Sequence, residues 1–464
     1  MELEGKSAVV VGLARSGIAA ARFLAERGAR VLATDRKPAG ELTEEALSLA
    51  QQGVVIEVGG HPAIAFTRAS MVIVSPGVPW DMPELAAARS AGVPVMAELE
   101  LAFRNLVGDV VAVTGTKGKS TTTAALGAML RAAGMDVRVG GNIGEPLIGQ
   151  VEGAKASTVF AVEASSFQLE GIDTFRPKVA IFLNLSADHL DRHASFEDYA
   201  RAKGRIFRNQ TGSDWAVVNA DDEGVLDLAR GSRARRVLFS TLDSPHPQPL
   251  SQRERGDVAY FEGGRALLRR NGAMEVLFDR ARVQLPGPHL AGDLLAAAVA
   301  ARLMGAPAEA IAQAAHAFTG VEHVLELVGE VGGVRFFNDS KATNIDAARK
   351  SLLAFDGPVL AILGGRYKGG DFADLADVAA GRCKKILAIG EAQERIARGL
   401  APVVPVLRCE TLDAAVDEAF RSAVPGDTVL LAPACSSFDM FRDYADRGRA
   451  FKAAVRRLAA LERE

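Results

Sequence analysis

The stretch VAVTGTKGKSTTTAAL, residues 111–126, decides how this chain folds. An apolar run typical of a buried strand leads into a glycine- and lysine-containing turn, and a helical run follows. Glycines let backbone N–H groups point at an anion, and the N-terminus of the following helix adds a positive dipole. A lysine charge and a serine hydroxyl that can bind magnesium complete a loop suited to a nucleoside triphosphate.

The loop is a shortened variant of the standard phosphate-binding motif, because Val113 stands where the first glycine of that motif would fall. The alternative interpretation is a glycine-rich turn between strand and helix with an incidental lysine. Under the phosphate-loop interpretation, the residues predicted to contact ATP here are Gly115, Thr116, Lys117, Gly118, Lys119, Ser120 and Thr121.

Composition limits the classes of protein to consider. With 464 residues, the chain is long enough for about three domains of ordinary size. The formal net charge is −3 and the charges are mixed along the chain, so no basic stripe indicates a nucleic-acid partner. The N-terminus runs directly into a strand, and no apolar segment of about 18 residues occurs. These features predict a cytoplasmic protein without a membrane partner.

The three cysteines are widely separated, which favours reduced thiols over disulfides or a zinc site. Short apolar runs alternate with helical patterns through nearly the whole chain, as in parallel α/β sheets. We predict an α/β fold with three domains, at residues 1–94, 95–319 and 320–464. The polar segment 243–257 is predicted to be a solvated insertion in the second domain.

The first domain begins with strand, glycine turn, helix, strand and acid, as in Rossmann-like domains. The turn is similar to the dinucleotide motif G-x-G-x-x-G, but its middle glycine is Ala14. An alanine there obstructs close approach of a pyrophosphate, which counts against NAD. A nicotinamide-dependent oxidoreductase therefore remains a distant alternative.

Further motifs follow the phosphate loop in a distinctive order: GNIG (141–144), VEASSFQLE (162–170), LNLSADHLDRH (183–193), FEDYARAKGRIF (196–207), NDSKATN (338–344), LGGRYKGGDF (363–372) and APACSSFDMFRDYADRG (432–448). With T-G-T-x-G-K-S-T-T after a strand, this set resembles the Mur ligase family. These are ATP-dependent amide ligases of peptidoglycan precursor synthesis, with folylpolyglutamate synthases as relatives. The variants SSFQLE, NDSKATN and APACSSFDMF look like those of the members that add D-glutamate.

The resemblance implies that ATP phosphorylates the carboxylate of UDP-N-acetylmuramoyl-L-alanine, and that the amine of D-glutamate attacks the acyl phosphate. It implies a Rossmann-like UDP-binding domain, a central P-loop ATPase-like domain and a Rossmann-like C-terminal domain for the amino acid. Two magnesium ions and carbamylation of Lys203 are further expectations. The implied catalytic residues are Lys119, Glu163, His189, Lys203 and Asp339, and the implied metal ligands are Ser120, Glu163, His189 and Lys203.

Read without the resemblance, Lys203 on its amphipathic helix would be a solvated surface residue, and His189 would be undecided. The resemblance places Asp339 and Lys341 on the ATP side. It implies UDP-substrate contacts from Ala14, Arg15, Ser16, Gly17, Asp35, Arg36, Ser75, Pro76, Gly77 and Asn142. It implies D-glutamate contacts from Thr343, Lys368, Ser437, Phe438 and Tyr444. For Phe438 and Tyr444, ordinary core packing is the alternative.

The sequence departs from the family pattern near the expected nucleotide. Lys117 replaces a usual asparagine, Val324 replaces an arginine, and Leu290 and Asp293 replace the asparagines of an H-N-x-x-N segment. We hypothesise that the ammonium of Lys117 compensates for the missing guanidinium. We expect a monomer. A sibling ligase with another acceptor and a non-catalytic UDP-sugar-binding protein remain alternatives. Four further histidines, His61, His193, His246 and His316, are expected to be structural or exposed.

Overall fold

The computed structural model describes residues 1–186, 188, 192–243, 257–284 and 288–462. His189 and nearly all of the predicted insertion lie outside these residues. The chain divides into two compact units. The first unit comprises Met1–Ala281 and Gly292–Ala315, and the second comprises Arg282–Ala291 and His316–Glu464.

The first unit begins with a five-stranded parallel sheet in the order β3-β2-β1-β4-β5. Its strands are β1 Ser7–Val11, β2 Arg30–Asp35, β3 Val55–Val58, β4 Met71–Val74 and β5 Val95–Ala97. Its helices are α1 Arg15–Glu26, α2 Glu44–Ser48, α3 Ala63–Arg68, α4 Pro83–Ser90 and α5 Glu98–Phe103. The strand order reverses beside β1, so the loops after β1 and β4 border the crevice where such sheets bind ligands.

A nine-stranded sheet follows in the same unit, in the order β14-β13-β12-β11-β10-β9-β6-β8-β7. Its strands are β6 Asp109–Thr114, β7 Val137–Gly141, β8 Val159–Glu163, β9 Val179–Phe182, β10 Trp215–Asn219, β11 Arg235–Asp243, β12 Asp257–Glu262, β13 Arg265–Arg270 and β14 Ala273–Asp279. Its helices are α6 Lys119–Ala132, α7 Ser166–Glu170, α8 Phe196–Gly204 and α9 Glu223–Ala229, together with most of α10 Pro288–Leu303 and of α11 Ala308–Ala317. Only β12, β13 and β14 pair antiparallel within this sheet.

The second unit contains a six-stranded sheet in the order β15-β16-β20-β17-β18-β19. Its strands are β15 Glu326–Val331, β16 Val334–Asn338, β17 Val359–Gly364, β18 Cys383–Ile389, β19 Val406–Arg408 and β20 Thr428–Leu431. Its helices are α12 Ile345–Leu353, α13 Ala376–Arg382, α14 Gln393–Leu400, α15 Leu412–Ser422 and α16 Tyr444–Leu461. All pairings are parallel except β15 with β16.

The central strands explain why the apolar runs of the sequence are continuous. Every residue of β4, β9, β17 and β20 is buried. Strands covered by helices on both faces have no solvated side that would need polar residues. The predicted α/β class with parallel sheets is therefore confirmed, whereas the predicted domain boundaries remain predictions. Among the helices that the structure describes, none is long and apolar enough to cross a membrane.

Candidate active site

The phosphate loop joins the end of β6 to the start of α6. Gly115 and Gly118 have φ angles of 151° and 81°, a region of backbone space that favours glycine. Gly118 is the residue that precedes the first turn of α6, so the N-terminus of this 14-residue helix faces the loop. The Nζ of Lys119 donates to the carbonyls of Gly115 and Thr116, at 2.9 and 2.8 Å. The loop thus has the backbone shape and the charge predicted for a phosphate site.

Ser120 and Glu163 meet where β6 and β8 end side by side. The Ser120 hydroxyl donates to Glu163 Oε2 at 2.7 Å, and Asn142 Nδ2 donates to Glu163 Oε1 at 2.7 Å. The backbone N–H of Asn142 also donates to the carbonyl of Glu163, at 2.9 Å. Glu163 is only 2% exposed, and two hydrogen bonds to its carboxylate and one to its backbone carbonyl fix it beside the loop. Hydroxyl and carboxylate oxygens are ligands that Mg²⁺ prefers, and this pair fits such an ion.

Lys203 lies on α8 and is buried, with 2% of its surface exposed. Its Nζ donates to the carbonyl of Gly115 at 2.8 Å and lies 4.8 Å from the centre of the Tyr199 ring. Burial, with the positive charge of Lys119 nearby, lowers the pKa of Lys203 to about 7. The interpretation of Lys203 as a solvated surface residue, made from its helix pattern alone, is wrong.

Several side chains outside the loop hold its backbone in place. The Tyr199 hydroxyl donates to Thr116 Oγ1 at 3.1 Å. Asn184 Oδ1 accepts the backbone N–H of Lys117 at 2.8 Å, and Asn184 Nδ2 donates to the Lys117 carbonyl at 3.1 Å. The Lys117 ammonium lies 3.4 Å from Asp188 Oδ2 and remains about half exposed. Sequence reasoning did not select Asn184, although it follows a buried strand within a quoted motif.

Asp293 on α10 is a buried carboxyl group beside the loop. A Cβ atom on Gly118 would lie 2.2 Å from Asp293 Oδ1, so only glycine at position 118 permits this contact. Burial raises the pKa of Asp293 to about 7. Asp293, which departs from the family pattern, therefore contacts the phosphate loop directly.

A second part of the first unit forms a cavity of about 740 Å³ at the ends of β1 and β4. It is lined by nine of the ten residues predicted for the UDP substrate: Ala14, Arg15, Ser16, Asp35, Arg36, Ser75, Pro76, Gly77 and Asn142. The tenth, Gly17, does not line the cavity but packs against the wall residue Gly12. A Cβ atom on Gly17 would lie 1.8 Å from the carbonyl oxygen of Gly12. The structure thus brings residues from both sheets of this unit to one cavity.

The carboxylate of Asp35 organises the cavity wall. Its Oδ2 accepts the backbone N–H of Leu13 at 2.7 Å, and its Oδ1 accepts that of Lys37 at 2.9 Å. His61 also lines the cavity, and its Nδ1 lies 3.0 Å from Thr34 Oγ1. Sequence reasoning treated His61 as structural or exposed, since no motif surrounds it.

In the second unit, three loops meet where β16, β20 and β17 end. The backbone N–H of Ala434 donates to the carbonyl of Ala342 at 2.9 Å. Arg366 and Ser436 exchange two backbone hydrogen bonds of 2.9 and 3.1 Å. These contacts bring together the loops that carry the remaining candidates, Asp339, Lys341, Thr343, Lys368, Ser437, Phe438 and Tyr444.

The environments of these candidates differ. Asp339 is buried and accepts a hydrogen bond from the Ser351 hydroxyl, and burial raises its pKa to about 6. Ser437 is buried, whereas Lys341 and Lys368 are exposed. Phe438 and Tyr444 are 59% and 40% exposed, so the core-packing alternative for them is wrong. Two exposed aromatic side chains beside buried polar groups suit contact with a ligand.

Family models match the chain in three successive segments. The Mur ligase MurD-like N-terminal domain matches residues 6–97, the Mur ligase middle domain 113–301, and the Mur ligase glutamate ligase domain 325–435. A UDP-N-acetylmuramoylalanine–D-glutamate ligase of Acidobacterium capsulatum is 46% identical over 98% of this chain and 97% of its own. The chain belongs to the Mur ligase family.

Further relatives of this Mur ligase have the same name or the same fold. Proteins of the same name from Geotalea daltonii and Geobacter metallireducens are each 44% identical, over 99% and 100% of both chains respectively. Among solved structures, UDP-N-acetylmuramate-alanine ligase MurC of Thermotoga maritima superposes with a TM-score of 0.57 at 20% identity, covering 97% of this chain and 99% of its own. A pseudomurein peptide ligase of Methanothermus fervidus gives 0.55 at 16% identity, covering 98% and 100%. These structures share the fold with this chain.

Proposed function

We propose that this chain joins D-glutamate to UDP-N-acetylmuramoyl-L-alanine in an ATP-dependent reaction of peptidoglycan precursor synthesis. The observation that carries the proposal is the similarity of the whole chain to D-glutamate ligases at 44–46% identity. The site geometry supports it independently. A phosphate loop, a buried carboxylate and a buried lysine converge in the first unit, and a cavity near Asn142 suits a sugar nucleotide.

A carboxylate and an amine do not condense at neutral pH unless the carboxylate is activated. Transfer of the γ-phosphoryl group of ATP to the substrate carboxylate gives an acyl phosphate, which the amine of D-glutamate attacks with release of phosphate. The approach of two anions must be neutralised, and Lys119 at the N-terminus of α6 supplies positive charge there. Backbone N–H groups of the loop orient the phosphates.

The oxygens of Ser120 and Glu163, 2.7 Å apart, suit a magnesium ion. When bound, magnesium neutralises phosphate charge and polarises the phosphoryl oxygens. We propose two such ions, with Lys203 and His189 contributing to the second. A cationic lysine cannot be a ligand, whereas a carbamylated lysine offers anionic oxygens. The lowered pKa of Lys203 supports carbamylation, because only a neutral amine reacts with CO₂.

In the second unit, we propose that Asp339 and Lys341 act on the ATP side. D-glutamate would contact Thr343, Lys368, Ser437, Phe438 and Tyr444. A dicarboxylate requires cations and hydroxyl groups that bind its carboxylates and leave its amine free to attack. Lys368 and Thr343 offer such groups on neighbouring loops.

Phosphate release, measured with each substrate alone and with both together, tests the proposal. We expect release from ATP only when UDP-N-acetylmuramoyl-L-alanine and D-glutamate are both present. Release with a different acceptor would indicate a sibling ligase, and no release with any acceptor would indicate a binding protein. Either result contradicts the proposal.

The assignment of the phosphate loop has its own test. Lys119→Ala should lower kcat by at least about 100-fold, since removing one such electrostatic group commonly costs that much. Binding of the UDP substrate, measured by calorimetry, should remain nearly unchanged because the predicted UDP residues line a separate cavity. The control is Lys155→Ala, which removes the same charge from an exposed position outside the site. Loss of UDP-substrate binding in Lys119→Ala would show that the two sites are misassigned.

A further inference from the structure

A cavity of about 1080 Å³ in the first unit is separate from every group assigned above. Its wall combines the loop and strand around Trp80 and Val95 with the end of α7 and with α8. Pro79 borders both this cavity and the predicted UDP-substrate cavity, so the two are neighbours. None of the residues proposed for ATP, magnesium or the UDP substrate lines it.

Arginine dominates the charge of this cavity. Its six arginines are Arg89, Arg104, Arg192, Arg201, Arg205 and Arg208. Its four carboxylates are those of Asp81, Glu170, Asp173 and Asp198. With ordinary ionisation the wall therefore carries an excess of two positive charges, in a chain whose net charge is −3. The excess is local and is not a property of the whole surface.

Two of the carboxylates are already neutralised. Asp173 pairs with Arg104 at 2.9 Å, and Asp198 pairs with Arg201. Of the carboxylates that the structure describes, none forms an ion pair with the other four arginines. Arg89 and Arg192 instead donate to the backbone carbonyls of Trp80 and Gly77, at 3.0 and 2.9 Å. Most of their N–H groups remain available, because each guanidinium has five.

The excess of positive charge is clearest at Arg205 and Arg208. Arg205 Nη2 donates to the carbonyl of Ile172 at 2.6 Å, but its buried Nε has no partner among the described residues. Burial and then the positive charge of Arg208 lower the pKa of Arg205, although the nearby carboxylates of Glu170, Asp173 and Glu100 partly oppose this shift. Two like charges with an unsatisfied donor are costly unless an anion binds between them.

We propose that this cavity binds a small organic phosphate through Arg205 and Arg208, with Arg89 and Arg192 as further donors. Guanidinium groups bind phosphate oxygens in a bidentate manner, which suits arginines that form no direct ion pair with the described carboxylates. The apolar side chains of Trp80, Val95 and Met96 would contact the organic part. Sites for small molecules begin near about 300 Å³. This cavity is larger than that, so it has room for an organic group beside the phosphate.

The bound phosphate would also contact the helix that carries Lys203. Arg201 and Ala202 on α8 line the cavity, whereas Tyr199 and Lys203 point from another face of this helix to the phosphate loop. His193 connects the two regions, because it lines the cavity, lies 3.0 Å from Ser166 Oγ and packs edge-on against Tyr199. Ligand binding in this cavity would therefore depend on the position of α8 and would in turn affect that position.

Trp80 provides a direct reporter of occupancy. The chain has two tryptophans, so Trp215→Phe leaves Trp80 in the cavity wall as the sole tryptophan. In this background, inorganic pyrophosphate is titrated into the protein without added nucleotide, and the variants below distinguish this cavity from the nucleotide sites. We expect a saturable change in tryptophan emission. Succinate, a dianion without phosphate, is titrated in parallel and should bind at least about tenfold more weakly.

Variants then locate the site. Arg208→Gln should weaken pyrophosphate binding about fivefold, the effect expected for one partly solvated ionic contact. Arg208 is exposed, so the substitution should not disturb folding. The matched control is Arg233→Gln, which removes the same charge at an exposed position outside the cavity and should leave binding unchanged. An unchanged emission, equal weakening by both variants, or equal binding of succinate would each overturn the proposal.

Discussion

Lys203 should be largely neutral at a pH where other lysines are charged. Its pKa is lowered to about 7, so roughly half of its amines would be unprotonated at pH 7. For a lysine with the ordinary value near 10.4, the neutral fraction at pH 7 is about 1 in 2500. The difference is about a thousandfold in the form that reacts with CO₂. The neutral fraction rises with pH, because the amine loses its proton as pH increases through the lowered pKa.

The assay is ¹³C NMR of the protein in ¹³C-bicarbonate. Beside the carbamate of the N-terminal amine, we expect a second carbamate signal that grows between pH 6 and 8 and is absent in Lys203→Arg, whose guanidinium does not form a carbamate. Lys119→Ala removes the neighbouring positive charge, which is the second cause of the lowered pKa. In that variant the pKa of Lys203 should rise, and the signal should appear at higher pH.

Two controls make the result decisive. Lys155→Ala, at an exposed position, should leave the carbamate signal unchanged. Unlabelled bicarbonate should give no signal in any variant. If the second signal persisted in Lys203→Arg, or if Lys203 titrated near the ordinary value, then burial would not control this amine and the reasoning would be refuted.

Three further substitutions test other parts of the structure. Buried Glu100 accepts hydrogen bonds from the backbone N–H groups of residues 173–175 and from Arg104. Glu100→Ala should therefore lower the free energy of unfolding, measured in urea, by about 3 kcal/mol. Burial alone would raise the pKa of Glu100, but a hydrogen bond from the Thr174 hydroxyl, together with those from the backbone N–H groups and Arg104, lowers it overall. The contribution of Glu100 should therefore be present near neutral pH and lost on acidification. Gly17→Ala should weaken UDP-substrate binding more than about tenfold by calorimetry, because its Cβ would lie 1.8 Å from the Gly12 carbonyl oxygen. Lys117→Asn should raise KM for ATP about fivefold without changing the urea midpoint, since its ion pair is exposed; unchanged ATP kinetics would end the compensation hypothesis.

The parallel sheets could be predicted because their strands are buried on both faces. Runs such as residues 359–364 contain no polar side chain, and each of these residues is buried. The antiparallel strands β12–β14 were not predicted, because these three strands lie at the edge of the sheet and their exposed positions interrupt the apolar pattern. The predicted boundaries near residues 94 and 319 remain predictions.

Some candidate residues can be identified from one contiguous stretch of sequence, and others cannot. The loop from Gly115 to Ser120 could be read directly, because strand, turn and helix are adjacent in sequence and together form the site. Asp293 was singled out only as a departure from the family pattern, and Asn184 only as part of a longer motif, because their contacts with the loop come from distant parts of the chain. His61 lies in no motif and could not be identified as lining the cavity. No local pattern distinguishes such residues from solvated ones.

The sequence by itself determined the α/β class, the phosphate loop and the family, since these depend on local periodicity and on contiguous motifs. Only the tertiary structure decided that Lys203 is buried and that arginines from separate segments surround one cavity. The physical reason is that burial and electrostatic environment arise from neighbours far apart in the chain. A lysine pattern on a helix is the same whether that face meets water or another chain segment, but the pKa of the amine is not.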